Sequence, residues 1–294
     1  MAAPSELDPT AVRRQFARRA TRLHDADFLL RETERRLLER LEIVRLQPAS
    51  VLDVGCGLGR SLAALAQRYP QAALYGCDLA WPIAARARRA LTPASRGLLA
   101  RLRVRPAQPL ASVFAADAHA LPLRDASVDM IWSNLAFHWF AEPPRAVDEW
   151  HRVIRPDGLL TFTALGVDSL VELRAAGARF MAFPDLHDIG DLLSGVGFAE
   201  PVMDVERITL TYREPAALLA DARALGGNAL RGRFRGLLGR GRHGDWLAAI
   251  ERGRGSDGLL RMSIELVFGH AWCPSKKRLP RGLARVDFVP RRKD

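Results

Sequence analysis

Val51-Leu52-Asp53-Val54-Gly55-Cys56-Gly57-Leu58-Gly59 is the stretch that decides the fold. Its first four residues are a short apolar run of strand type. Three glycines at alternate positions then make a turn, and Arg60–Arg68 reads as the helix that follows. Glycine lets a backbone approach a ligand where any Cβ would clash. The free N–H groups that open the helix suit an electronegative group. The spacing is G-x-G-x-G, whereas the dinucleotide fingerprint needs its last glycine one place later. Arg60 occupies that place, so the turn points away from a pyrophosphate ligand.

Outward from this turn, strand and helix patterns alternate. Ala73–Cys77 is a second strand ending in Asp78, and Pro82–Leu91 a helix with proline in its first turn. Ser112–Ala116 is a third strand ending in Asp117, Val128–Ser133 a fourth, and Leu159–Leu165 a fifth after a helix over Pro144–Ile154. This rhythm predicts an α/β fold, a parallel Rossmann-like sheet covered by helices on both faces. Before it, leucines at helical spacing predict one helix over 11–46, ended by Gln47-Pro48. After it, helices are expected over 168–180, Leu186–Val196 with Gly197 as C-cap, and Pro215–Leu225. Val202–Tyr212 and Leu259–Phe268 read as an antiparallel edge. The 92–111 segment, with three prolines and several arginines, reads as an insertion or a ragged connection, and the Gly/Arg-rich 227–258 segment is expected to be partly mobile. Residues 1–47 are thus a helical lid, 48–212 the core, 213–273 a helix and strand extension, and 274–294 a basic flexible tail.

Three acids close successive strands: Asp53 within the first, Asp78 at the end of the second and Asp117 at the end of the third. Parallel sheets bind ligands at those carboxyl ends. A carboxylate at Asp78 is able to accept both hydroxyls of a ribose. Singly, each acid has an ordinary explanation as a turn or N-cap residue. The set of three does not.

Composition narrows the setting. The 294 residues hold 44 Lys and Arg against 33 Asp and Glu, a formal charge of +11. Almost all of the positive charge is arginine, the lysines being Lys276, Lys277 and Lys293. Such an excess favours an acidic partner. No apolar run is long enough to span a bilayer, and MAAPSELDPTAVRRQF lacks a signal core. Cys56, Cys77 and Cys273 have neither metal-ligand spacing nor an even count, which fits a reducing cytoplasm and no metal site.

Several stretches resemble a known family. DAHALPL at 117–123, followed by VDMIWSNLAFHWF at 128–140, looks like the small-molecule methyltransferases that use S-adenosyl-L-methionine (SAM). Ser133–Trp139, Leu170–Arg174, Leu186–Phe198, Pro201–Asp204, Leu210–Tyr212, LLADARALGGN at 218–228 and FGHAW at 268–272 resemble the malonyl-[acyl-carrier protein] O-methyltransferases of biotin synthesis. The resemblance implies SAM as cofactor, held by Asp53, Gly55, Cys56, Gly57, Gly59, Asp78, Leu79, Asp117, Ala118 and Ser133. It implies a methyl transfer to the free carboxylate of a malonyl group on an acidic acyl carrier protein, with no membrane or nucleic-acid partner and a monomeric enzyme. His138 and Trp139 follow the fourth strand, where this fold places acceptor-side residues. Arg145 and Arg174 are candidates for gripping the malonyl carboxylate.

The family usually carries an aromatic-Asp pair in its first helix. Here Phe16, Ala20 and Asp25 fit that pattern, but His24 stands where a Tyr is expected, so His24 joins the catalytic candidates. Arg13, Arg14, Arg18 and Arg19 crowd the same segment and would steer an acidic carrier. Three alternatives stay open: a SAM-binding arginine hydroxylase of the respiratory-complex assembly type, a methyltransferase acting on another small carboxylate or on RNA, and a SAM-fold binding module that has lost catalysis. Ser133-Asn134-Leu135-Ala136 lacks the N/D-P-P-[YF] pattern of base-amine methylation.

Overall fold

The computed structural model describes residues 7–20, 27–92, 109–179, 181–225, 229–232 and 240–275. In chain order the first elements are α1 (Pro9–Arg19), α2 (Asp27–Arg40) with a 3-10 turn at Leu41–Ile43, β1 (Ser50–Val54), α3 (Arg60–Arg68), β2 (Ala73–Asp78) and α4 (Trp81–Leu91). Then come β3 (Ser112–Ala115), β4 (Val128–Ser133), a 3-10 turn at Phe137–Trp139, α5 (Pro143–Val153), β5 (Ile154–Leu165) and the short α6 (Val171–Ala175). The chain continues through α7 (Leu186–Val196), β6 (Ala199–Tyr212), α8 (Pro215–Ala224), α9 (Arg240–Glu251) and β7 (Leu260–Trp272).

The strands form one sheet in the order β3-β2-β1-β4-β5-β7-β6. β1 to β5 run parallel, and β7 and β6 are antiparallel. All five residues of β1 are buried, because helices cover it from both sides. The chain moves outward from β1 through β2 to β3, then crosses back to β4 on its other flank. That reversal opens a crevice beyond the carboxyl ends of β1 and β4, where such sheets take ligands. Ser133 Oγ donates to the Val54 carbonyl at 2.9 Å and bolts the two strands together beside the crevice.

The expected antiparallel edge is present and longer than its sequence signal: β6 is the edge, and β7 lies inside between β5 and β6. Three expectations change. The single helix over 11–46 is at least two. Asp8 caps the first by accepting from the Thr10 and Ala11 N–H groups, α2 starts at Asp27, and residues 21–26 lie outside the described set. The helix over 168–180 shrinks to α6, because Leu170 adopts φ 60° before it and Gly177 φ 87° after it. Part of the 227–258 segment expected to be partly mobile is the helix α9, held by buried Ile250 and by Trp246 and Leu247 on the core. Residues 93–108, 233–239 and 276–294, which carry much of the remaining basic sequence, also lie outside the described set.

The first helix covers the crevice, tethered at one end to the segment after α8 and at the other to the last residue of α8. The Asp8 N–H donates to Ala229 O at 2.9 Å, Arg231 Nε donates to Leu7 O at 2.9 Å, and Arg19 donates to Ala224 O. Among the described residues no helix is long and apolar enough to cross a membrane.

Candidate active site

A cavity of about 810 Å³ fills the crevice. Its base is the turn Gly55–Gly59, with Asp53 beneath, Asp78 and Leu79 on one side, and Asp117, Ala118 and His119 beyond. The opposite wall is Asn134, Leu135, Ala136, His138 and Trp139, and the cover is Phe16, Arg13 and Arg19 of α1 with Asp27, Leu30 and Glu34 of α2.

The glycine turn is shaped by its neighbours. Gly55, Gly57 and Gly59 all have positive φ, of 76°, 53° and 79°. A Cβ on Gly55 would stand 2.4 Å from the Ala136 Cβ, so the turn is pressed against the loop after β4. A Cβ on Gly57 would meet nothing within 4 Å. The Gly57 N–H donates to Asp78 Oδ2 at 3.2 Å and the Ala80 N–H to Asp78 Oδ1 at 2.9 Å. Cys56 is buried, its Sγ 3.9 Å from the Gly57 carbonyl.

The glycine-turn end is rich in carboxylates. Asp53 is buried, and its Oδ2 has no hydrogen-bond partner. Burial first, then repulsion from Glu34 and Asp78, holds its carboxyl well above the usual range. Burial also pushes Asp78 up to about 6, against the two N–H bonds it accepts. Glu34 is raised by burial, although it accepts from Ser61 Oγ at 2.7 Å and lies near Arg60. Asp117 differs. Partial burial pushes it up, but the His119 N–H and ring and the charge of Arg145 outweigh that, leaving it below the usual range.

The other end is aromatic and neutral. His138 Nδ1 accepts from the Leu165 N–H at 3.2 Å, which leaves the ring proton on Nε2. Burial lowers its pKa to about 3, so the imidazole is uncharged. Trp139 meets Phe16 of the cover. Asn134 links three elements: its Nδ2 donates to Leu30 O at 3.0 Å, and its Oδ1 accepts from Thr163 Oγ1 at 2.7 Å.

Not every sequence candidate reaches the cavity wall. Ser133 is fully buried in its bond to β1, and Asn134, one residue on, faces the cavity instead. Arg145 is exposed on α5, 3.9 Å from Glu142 Oε1. Arg174 lies behind the wall. Its Nη1 donates to Val167 O at 3.0 Å, its guanidinium stacks 5.5 Å from the Phe183 centroid, and Phe183 in turn packs edge-on against His138. His24 lies outside the described residues. Sequence reasoning missed Glu34 and Asn134. The position of Asn134, just past a parallel strand, was a usable signal; Glu34 carried none, since helical periodicity alone does not say which sheet end a helix will cross.

The model of a family described as "Methyltransferase domain" matches residues 52–162. A malonyl-[acyl-carrier protein] O-methyltransferase of Methylovorus sp. (strain MP688) is 42% identical over 293 residues, covering 97% of this chain and 96% of that one. The protein of the same name from Laribacter hongkongensis is 42% identical over 96% of each chain. The chain belongs to the malonyl-[acyl-carrier protein] O-methyltransferase family. Among solved structures, the YcgJ protein of Bacillus subtilis superposes with a TM-score of 0.56 at 16% identity, over 81% of this chain and 98% of that one. Phosphoethanolamine N-methyltransferase 2 of Haemonchus contortus, solved in complex with SAM, gives 0.54 at 15% identity over 88% and 60%. At such identities these neighbours establish the family's class I methyltransferase fold and no more. In this family member the fold places the glycine turn, the strand-end acids and the neutral aromatic wall around one cavity.

Proposed function

We propose that this chain methylates the free carboxylate of a malonyl group carried as a thioester on an acyl-carrier protein, with SAM as methyl donor. The carrying observation is the polarity of the cavity: a carboxylate-lined glycine nest at one end and an uncharged aromatic chamber at the other. The relatives' names support the reading.

The nest fits the cofactor. Asp53 Oδ2 is a buried acceptor in want of a donor, and the Gly57 position is open where a side chain would intrude. Asp53 and Glu34 suit an ammonium, the N-terminus of α3 suits a carboxylate, Asp78 suits ribose hydroxyls, and Asp117 with Ala118 suits an adenine edge. When bound, SAM supplies a methyl group on a sulfonium, already activated for transfer.

The chain's own residues then have little proton chemistry to do. A malonyl carboxylate is ionised at neutral pH, so no general base is required. His138 is uncharged and does not compete for that carboxylate as a counter-ion. Phe16, Trp139 and Leu135 exclude water from the acceptor end, and the cover aligns the two reactants, which is the main source of acceleration available here. The arginines on the cover, Arg13 and Arg19, supply positive charge on the acceptor's path. Masking the carboxylate as an ester fits the start of a pimeloyl chain in biotin synthesis. Three free, buried thiols are consistent with the cytoplasmic setting we propose.

The test is incubation with methyl-labelled SAM and malonyl-carrier protein. Label is expected on the malonyl group, released by mild alkali as methanol, and absent when acetyl-carrier protein replaces the malonyl form. Label on the acetyl form, or none on the malonyl form with SAM bound, would overturn the assignment.

A further inference from the structure

Helices α1 and α4 lie side by side at the cavity mouth, with Phe16, Ala17 and Ala20 packed on Ala80 and Ile83. Together they carry seven arginines and no acidic residue. Arg13, Arg14 and Arg18 of α1 and Arg86, Arg88 and Arg89 of α4 are exposed, and none of these six meets a carboxylate among the described residues. The neighbouring α2 behaves differently: its Arg31, Arg35, Arg36 and Arg40 pair with Asp27, Glu32, Glu39, Asp204 and Glu206.

Basic residues in a last turn favour a helix end, which gives Arg18, Arg88 and Arg89 a local reason to be there. Arg13, Arg14 and Arg86 have no such reason. Like charges on two packed helices repel one another, and an anionic partner would relieve that repulsion. Arg13 and Arg86 also line the cavity, so the basic face runs unbroken to its rim. Trp81, 55% exposed at the start of α4, offers an aromatic anchor beside the charges.

We infer that the α1–α4 face is the docking surface for the carrier protein, receiving an acidic patch of it across Arg14, Arg18, Arg88 and Arg89 while Arg13 and Arg86 meet an anionic group of the acyl-bearing arm. The inference rests on the proposed function, and adds to it the place where the partner sits. A tethered acyl group has to pass from a protein surface into the cavity, so its carrier must dock beside the mouth, and this face borders it. A nucleic acid would also answer the charge and is able to flip a base into a pocket, so RNA binding is one arm of the test.

The experiment compares two acceptors, malonyl-carrier protein and malonyl-pantetheine, on the full chain. In the double variants Arg14→Glu/Arg18→Glu and Arg88→Glu/Arg89→Glu, kcat/KM for the carrier is expected to fall by about ten-fold or more through KM, with the small thioester turned over as before. Arg45→Glu/Arg124→Glu, a charge change elsewhere, should leave both intact. On the unaltered protein, binding of fluorescently labelled carrier should weaken steeply with salt, and turnover of malonyl-pantetheine should not respond. Unchanged carrier kinetics in both double variants, equal loss on both acceptors, salt-independent carrier binding, or tighter binding of RNA than of the carrier would each overturn the surface. If the unaltered protein turns over neither acceptor while binding the carrier in a salt-dependent way at this face, the docking surface stands and the proposed reaction fails.

Discussion

The ring of Phe16 meets the indole of Trp139 edge-on, their centroids 5.1 Å apart and their planes at 89°. One ring belongs to the covering helix and the other to the turn after β4, so this pair closes the cavity at the proposed acceptor end. An aromatic pair of this kind adds about 0.5–1.5 kcal/mol beyond its buried area. Phe16→Ala is expected to lower kcat/KM for methyl transfer by about ten-fold, with a smaller effect on SAM affinity. Steady-state kinetics beside calorimetric SAM binding would check it, and undiminished turnover would remove Phe16 from closure.

The raised carboxyls make cofactor binding pH-dependent. Asp78 titrates at about 6, and Asp53 and Glu34 are raised as well. Facing Glu34 are Ser61 and Arg60 of α3, Asp27 and Arg31 of its own helix, and Asp53 of β1. An acid with a raised pKa keeps its proton in the empty protein and must lose it to accept hydroxyls or meet an ammonium. SAM affinity should therefore rise with pH through about 6, and binding should release protons, visible as a heat that depends on the buffer. The effect on stability has the opposite sign. Between the ordinary aspartate value of 3.8 and about 6 the folded state binds more protons than the unfolded state at Asp78. Its contribution to unfolding free energy consequently falls as pH rises across that window. An affinity flat from pH 5 to pH 7.5 would contradict this account.

Glu34→Gln removes one negative charge from the nest while keeping an acceptor for the Ser61 hydroxyl. SAM and its product S-adenosylhomocysteine should both bind about ten-fold more weakly, since both carry the ammonium, and proton release should shrink. An analogue lacking the amino group should bind the variant and the parent alike. Equal weakening of all three ligands would assign Glu34 a merely structural role.

Two glycines of the turn should part company on substitution. Gly55→Ala drives a methyl into Ala136, 2.4 Å away, and is expected to lower the melting temperature by several degrees. Gly57→Ala carries only the strain of its φ of 53°, about 1 kcal/mol, because its methyl meets open space. That open space is the proposed cofactor room, so Gly57→Ala should fold and fail to bind SAM. Thermal melts with and without SAM separate the two, and full SAM binding by Gly57→Ala would place the cofactor elsewhere.

His138 should not shape the pH–rate profile. Burial holds its pKa at about 3, and the Leu165 N–H occupies its Nδ1. His138→Ala is expected to slow turnover through lost packing against Trp139 and Phe183, with the profile between pH 6 and 9 unchanged in shape. An imidazole resonance titrating near 6.5 would show that the ring is charged after all.

Where local pattern decides, the sequence was readable. The bounds of α3, β4 and α7 fall where periodicity and caps put them, and the antiparallel pair of β6 and β7 was visible as two apolar runs. The lining of the candidate site was readable where residues sit at strand ends, as with Asp53, Asp78 and Asp117, which share one cavity. It was not readable where orientation depends on one step of strand alternation: Ser133 turns toward β1, and Asn134 beside it toward the cavity. Glu34 faces the nest only because α2 packs against β5 and meets Ser61 of α3 over the cavity, a tertiary fact. The helix α9 was hidden by Gly241 and Gly244, which weaken intrinsic helicity and are overridden by the packing of Trp246 and Ile250.

The tethers of the first helix join residues 205 and 224 positions apart in sequence. None of these bonds belongs to the strand pairing that holds the glycine turn at the end of β1. Roof and floor of the cavity are thus fastened by separate sets of contacts, and unlatching the one leaves the other standing.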